Sequence, residues 1–150
     1  MLDIVTVESP SRDKVLIADL QTIWEASVRE THLFLREEDI AALYPMVADA
    51  LQNVDKLLLA QQNGETVGFM GVDGCKIEML FLHPAYFGKG FGKRLVQYAT
   101  AALGAAYVDV NEQNTQALAF YQHVGFVVTG RSELDEQGNH YPILHMKRLS

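Results

Sequence analysis

"FLHPAYFGKGFGKRLVQYATAAL", residues 81–103, decides the fold, because an apolar strand-like run passes through a glycine-rich loop into a helical pattern. A helix N-terminus carries unpaired backbone N–H groups and a partial positive charge, and glycines let an anion approach that backbone closely. Gly88, Gly90 and Gly92 supply the access, and Lys89, Lys93 and Arg94 add positive charge at the same end. Strand, glycine loop and amphipathic helix follow one another in the order that a phosphate site needs.

The chain before this stretch reads as a meander. "KLLLAQQ" (56–62), "ETVGFMGV" (65–72) and "CKIEMLFL" (75–82) are short apolar runs separated by Asn63-Gly64 and Asp73-Gly74, both hairpin turn signals. Ahead of them stand a strand, "LDIVTV", and two helical segments. The first has Ser9 as N-cap, Pro10 in the first turn and Leu16, Leu20, Ile23, Trp24 and Ser27 at helical spacing. The second opens on Glu37, Glu38 and Asp39, runs through Ile40, Leu43, Tyr44, Val47 and Leu51, and is expected to kink or break at Pro45. Beyond the loop come a helix from about Gly90 to Leu103, a strand "AAYVDV" and a helix from Thr115 to Val124. A strand "FVVTGRSEL", the turn "DEQGNH" and a last strand "YPILHMKRL" complete the chain. This order predicts one α/β domain spanning 1–150, a mixed α+β fold. Its sheet is mixed, with six or seven strands, and about four helices cover its faces.

Composition excludes several classes. The chain has 150 residues, 49% hydrophobic and 21% charged, which suits a soluble globular domain. A formal charge of -7 argues against attraction to nucleic acid or an anionic membrane. The single cysteine, Cys75, permits no internal disulfide and reads as a small packing residue in a reducing compartment. With no signal-peptide pattern at the N-terminus and no stretch of membrane-spanning length, the expectation is a cytoplasmic protein. The five histidines have no paired ligand spacing, so no metal site is expected.

Three phosphate motifs compete for residues 87–92. A Walker loop needs four residues between its glycines and a Ser or Thr after the lysine, whereas Lys93 is followed by Arg94. The dinucleotide fingerprint of an oxidoreductase is nearly met by Gly88 and Gly90, with Asp109 at the distance of a ribose-binding acid. Its last glycine is Lys93, however, and "HPAYF" separates the strand from the first glycine. The third candidate fits both glycines. "FGKGFG", Phe87 to Gly92, resembles the pyrophosphate-binding signature of the Gcn5-related N-acetyltransferase (GNAT) family, with Phe87 where Gln or Arg is usual.

The resemblance extends to "NEQNTQALAFYQHVGF" (111–126), similar to the family's second signature at Asn114, Ala117, Phe120, Tyr121, Gly125 and Phe126. The element order matches as well. "WEASVRETHLFL" and "VTGRSELDEQGNHYPIL" make the chain most similar to small bacterial members. The resemblance implies an acetyl-CoA-dependent N-acetyltransferase acting by direct attack of a primary amine on the bound thioester. The acceptor is then a small-molecule amine, a protein lysine or an N-terminal amine, and homodimers are common in the family. Cofactor contacts implied at the matching positions are Phe87, Gly88, Lys89, Gly90, Phe91, Gly92 and Lys93, with Asn114, and the backbone of Leu80, Phe81 and Leu82 beside the cofactor arm.

Transfer to an amine needs a base and an acid. Tyr121 shares a helix face with Ala117 and Val124, so its pattern alone suits a core aromatic; the match to the family tyrosine assigns it as the acid that protonates the leaving thiolate. Glu78 is the candidate base, since strict alternation puts it with Leu80 and Leu82, opposite Ile77, Met79 and Phe81. A solvated rim acid is equally consistent with that position; a histidine or a water chain would then serve. Trp24, His32, Phe34, His140 and Tyr141 are acceptor-site candidates by position in the resemblance. The alternative from another class is a non-catalytic CoA-binding or sensing module.

Overall fold

The computed structural model describes residues 2–149. Its strands are β1 (Leu2–Val7), β2 (Lys56–Gln62), β3 (Glu65–Asp73), β4 (Lys76–Leu82), β5 (Tyr107–Asn111), β6 (Phe126–Ser132) and β7 (Ile143–Arg148). Its α-helices are α1 (Lys14–Thr31), α2 (Glu37–Asn53), α3 (Phe91–Leu103) and α4 (Thr115–His123). They form the mixed α/β architecture expected. One seven-stranded sheet runs β1-β2-β3-β4-β5-β7-β6, antiparallel except between β4 and β5.

Each face buries its own core. Ile17, Leu20, Trp24 and Val28 of α1 and Ile40 and Leu51 of α2 pack over Leu57, Leu59 and Phe69 of the sheet. On the other face Leu95, Val96 and Ala99 of α3 and Tyr121 of α4 cover Leu58, Val67, Met70, Val108 and Met146. Burial of these apolar stripes, rather than helix propensity, holds the layers together.

Local chemistry moved several boundaries. Ser9–Ser11 forms a short 3-10 turn, and Asp13 caps α1 instead of Ser9, its carboxylate accepting the N–H of Leu16 at 2.9 Å. Pro10 suits the tight turn, and the stronger acceptor lies three residues on. Pro45 does not break α2, which continues from Glu37 to Asn53. Packing against α1 overrides it, and Gln21 of α1 donates to the adjoining Tyr44 carbonyl at 2.9 Å. The last strand starts at Ile143, not Tyr141. Cys75 is exposed in the β3–β4 turn rather than packed. At the β2–β3 turn, Asn63 and Gly64 both take positive φ (54° and 80°), as a two-residue hairpin requires.

Arg12 is the buried cation that no sequence pattern announces. It is 5% exposed. Its Nε donates to the Val7 carbonyl at 3.1 Å, and its terminal nitrogens reach the carbonyls of Leu51, Gln52, Val54 and Asp55 at 3.1, 3.1, 2.6 and 3.2 Å. The guanidinium therefore closes the C-terminal end of α2, where free carbonyls favour positive charge, and ties it to the end of β1. Replacing it leaves buried carbonyls without donors. Arg12→Met is expected to cost about 3 kcal/mol, lowering the thermal midpoint by about 10 °C, as checked by calorimetry.

Candidate functional site

β4 touches β5 at only two residue pairs, Lys76 with Tyr107 and Ile77 with Val108. Beyond Ile77 the strands part, while β4 stays paired with β3 as far as Leu82. The backbone edge of Leu80–Leu82 that faces away from β3 is thus left without a strand partner. Two glycines of β3 allow β4 this position. A Cβ on Gly68 would stand 2.8 Å from the Phe81 carbonyl oxygen, and one on Gly71 would stand 2.9 Å from the Met79 methyl.

A bulge corrects the expected alternation along β4. Val72 pairs with Ile77 and Gly71 with Met79, so Glu78 is the extra residue. Ile77, Leu80 and Leu82 consequently join the α3–α4 core, while Met79 and Phe81 join the other. Glu78 is half exposed with Lys76 Nζ at 3.8 Å. Burial raises its pKa, against the opposing pull of Lys76.

The glycine loop lies at the open end of the parting. Gly88 (φ 77°) and Gly90 (φ 79°) adopt left-handed backbone with open space where a Cβ would project. Gly90 caps α3, whose first helical bond runs from Arg94 N–H to the Gly90 carbonyl at 3.1 Å. The N–H groups of Phe91, Gly92 and Lys93 precede that bond and are free to hold an anion. Gly92 has another reason to be glycine: its Cβ would press on the Phe120 ring at 3.3 Å. It lets α3 fit against α4 while still lining the cleft. Arg94 is also redirected, donating to the Leu2 carbonyl at 3.3 Å. Lys89 stands over the Tyr86 ring, 5.4 Å from its centre. Lys93 and the apolar Phe87 both line the cleft.

This cleft has a volume of about 500 Å³ and also brings together Leu80, Phe81, Leu82, Asn114 and Tyr121. Asn114 caps α4, its Oδ1 accepting the Ala117 N–H at 3.1 Å. Tyr121 is 7% exposed, its ring edge-to-face with Phe120 at 5.0 Å and Phe126 at 5.5 Å. Burial pushes its pKa up, so the phenol holds its proton at neutral pH. It lines both the cleft and a smaller cavity of about 130 Å³ in the wedge between β4 and β5, where Glu78 is also found.

A third cavity, of about 620 Å³, opens on the other side of the wedge and is lined by Phe34, His140, Tyr141, Arg36 and Asp39. Tyr141 donates its hydroxyl to Asp39 at 3.3 Å, fixing the 133–142 connection to the start of α2. Of the five acceptor-side candidates, Phe34, His140 and Tyr141 line this cavity, and His32 lines all three. Trp24 is instead a core residue, 5% exposed against Tyr44, because its position on α1 faces the sheet.

Asp109 lies outside the cleft. Its carboxylate takes Lys76 Nζ at 2.8 Å and His145 Nδ1 at 2.7 Å, and His145 Nε2 meets Ser132 Oγ at 2.7 Å. This cross-strand chain accounts for the acid that a dinucleotide site would have needed at the ribose. No cluster of three or more His, Cys, Asp or Glu with metal-binding geometry occurs among the described residues. Nor, among them, is any helix long and apolar enough to cross a membrane.

Comparison with known proteins decides the family. The acetyltransferase (GNAT) domain model matches residues 29–149. The chain belongs to the GNAT acetyltransferase family. It is 42% identical over 127 residues to the peptidyl-lysine N-acetyltransferase YjaB of Salmonella typhimurium, a span covering 85% of this chain and 88% of that protein. The solution structure of apo-form YjaB from Escherichia coli superposes with a TM-score of 0.87 at 35% identity, covering 100% of this chain and 99% of that one. The GNAT fold is shared more distantly with a paia N-acetyltransferase from Thermoplasma acidophilum, solved in complex with coenzyme A. There the TM-score is 0.69 and the identity 20%, with 99% of each chain covered. As a GNAT protein the chain is an acyltransferase.

Proposed function

We propose that this protein transfers the acetyl group of acetyl-CoA to the side-chain amine of a peptidyl lysine by direct attack within a ternary complex. The observation that carries the reading is the meeting of two cavities, the cleft and the Phe34–Tyr141 cavity, at one wedge beside Tyr121. A cofactor reaching in from one side and an amine from the other come together only there.

The residues of the cleft fit coenzyme A. Gly88 and Gly90 leave room at the backbone, the first N–H groups of α3 and Lys93 face the same space, and these suit a pyrophosphate. The free edge of Leu80–Leu82 suits the amide-bearing arm, taken up as an added strand. Phe87 contributes apolar wall where a polar side chain was expected, leaving the backbone to bind the anion. Bound there, acetyl-CoA supplies an activated acetyl thioester. Tyr121 holds a proton for the departing sulfur. The lysine acceptor is supported by the names of the relatives and by Asp39 in the second cavity, whose carboxylate stays ionised because the Arg36 backbone N–H holds its pKa down. The lone thiol, Cys75, suits the reducing cytoplasm.

Acetyl-CoA is expected to raise the melting temperature while NAD and ATP at equal concentration leave it unchanged; stabilisation by NAD alone would refute the reading. Aspartate tolerates left-handed backbone and suits a helix N-terminus, so Gly90→Asp should keep the fold yet repel the pyrophosphate. Calorimetric titration should show acetyl-CoA affinity falling by about 10-fold or more, in keeping with the loss of one charge-assisted anion contact. Tyr121→Phe keeps the ring packing and removes only the proton donor. Its kcat for acetylation of a lysine peptide should drop by about 100-fold, with acetyl-CoA affinity unchanged.

A further inference from the structure

His32 ends α1 at the one point common to the cleft, the wedge and the acceptor cavity. Its hydrogen bonds determine where its proton sits. Thr31 has a single hydroxyl proton and donates it to the Ser27 carbonyl at 2.8 Å, so Thr31 Oγ can only accept from His32 Nδ1, 2.8 Å away. The ring is therefore the Nδ1–H tautomer, with its lone pair on Nε2. The far side agrees. Asn114 Oδ1 is committed to the Ala117 N–H, which turns its amide nitrogen toward His32 Nε2 at 3.3 Å. That bond is long, and a closer donor can replace it.

We propose that His32 Nε2 is the base that takes a proton from the acceptor amine, an inference that rests on the acetyltransferase reading above. Glu78 is placed less well for this step. It lines the wedge but neither the cleft nor the acceptor cavity, and Lys76 stands beside it. His32 is packed against Phe34 and Phe81, with ring centres 5.5 and 6.5 Å away. Burial lowers its pKa below the usual value, which leaves the imidazole neutral at pH 7. The same apolar surroundings weaken the hold of a lysine ammonium on its proton.

The ammonium gives one proton to Nε2, and the amine nitrogen forms the C–N bond to the acetyl carbonyl carbon. The C–S bond breaks, the sulfur takes the Tyr121 proton, and the nitrogen's second proton restores the phenol. The proton on Nε2 leaves to water, so one proton is released per turnover.

Titratable groups share these cavities with His32 from every side. They are Tyr121 and His123 on α4, Lys93 on α3, Glu78 and Asp109 on the strands, and Arg36, Asp39, Asp135, His140 and Tyr141 around the acceptor cavity. Its hydrogen-bonding partners are Thr31 and Asn114.

The test measures kcat against pH with a lysine peptide, with melting temperature and acetyl-CoA binding recorded for each variant. The wild type should be flat around neutral pH and fall on the acid side, below the usual imidazole range, as Nε2 protonates. His32→Gln should bind acetyl-CoA normally, turn over about 100-fold more slowly and lose the acid limb, whereas Glu78→Gln should keep that limb. Added imidazole should restore part of the rate to His32→Ala and nothing to the wild type. A His32→Gln rate within threefold of wild type would overturn the assignment, as would a slower variant that retains the limb with no imidazole rescue, or loss of the limb in Glu78→Gln. Absence of acetyl transfer by the wild type would instead overturn the acetyltransferase reading itself.

Discussion

The parting of β4 from β5 after two residue pairs is the constraint on which the rest of the site depends. A fully paired parallel sheet would satisfy every backbone group and leave no cavity between its strands. Here the pairing stops at Ile77 and Val108, and the strand edges beyond it need other partners. Each opening is framed by a helix end. The N-terminus of α3 lies at one side, that of α4 brings Asn114 to the wedge with Tyr121 further along the same helix, and the C-terminus of α1 brings His32 from the other face. Helix ends are where backbone groups and capping side chains are unpaired by helix geometry, so polar chemistry gathers there at low cost.

The order of elements along the chain, the two hairpins and the glycine loop were legible because their signals are local. Asn63-Gly64 demands positive φ, and Gly88 and Gly90 before an amphipathic stretch mark a helix start open to an anion. An asparagine directly before a helical segment is a local signal of the same kind, and Asn114 caps α4. What escaped depended on contacts distant in sequence. Arg12 answers carbonyls some forty residues away, and nothing beside it in the chain hints at them. Trp24 reads equally well as core or as acceptor-side aromatic until the sheet it faces is known. Pro45 would end an isolated helix, and only the layer beneath keeps α2 intact.

The bulge at Glu78 was hidden in a different way. Nothing on β4 marks it, but its partner strand carries Gly68 and Gly71, and glycine inside a strand signals a bulge or a close approach. One extra residue changed which side chains face which core, moving Ile77 across the sheet relative to Met79 and Phe81. Strict alternation fails wherever such a residue is inserted, and the failure propagates to every functional side chain on the strand.

Charge is also sorted along the site. The chain is acidic by seven charges, yet Lys93 and the amide end of α3 face the cleft, while the opposite cavity carries Asp39 and Asp135 beside Arg36, an excess of acid. An anionic cofactor and a cationic acceptor would each be drawn to their own side, and reversed binding would set like charges together. Between them the wedge holds Tyr121, which burial keeps protonated, and His32, which burial keeps neutral. The same desolvation thus acts on both in the direction of the uncharged form, leaving the phenol with its proton and the imidazole with a lone pair on Nε2, which the Asn114 amide meets at 3.3 Å. If Tyr121 and His32 serve as acid and base, each must start uncharged, and burial favours that state for both even though the carboxylates of Glu78 and Asp109 line the same wedge.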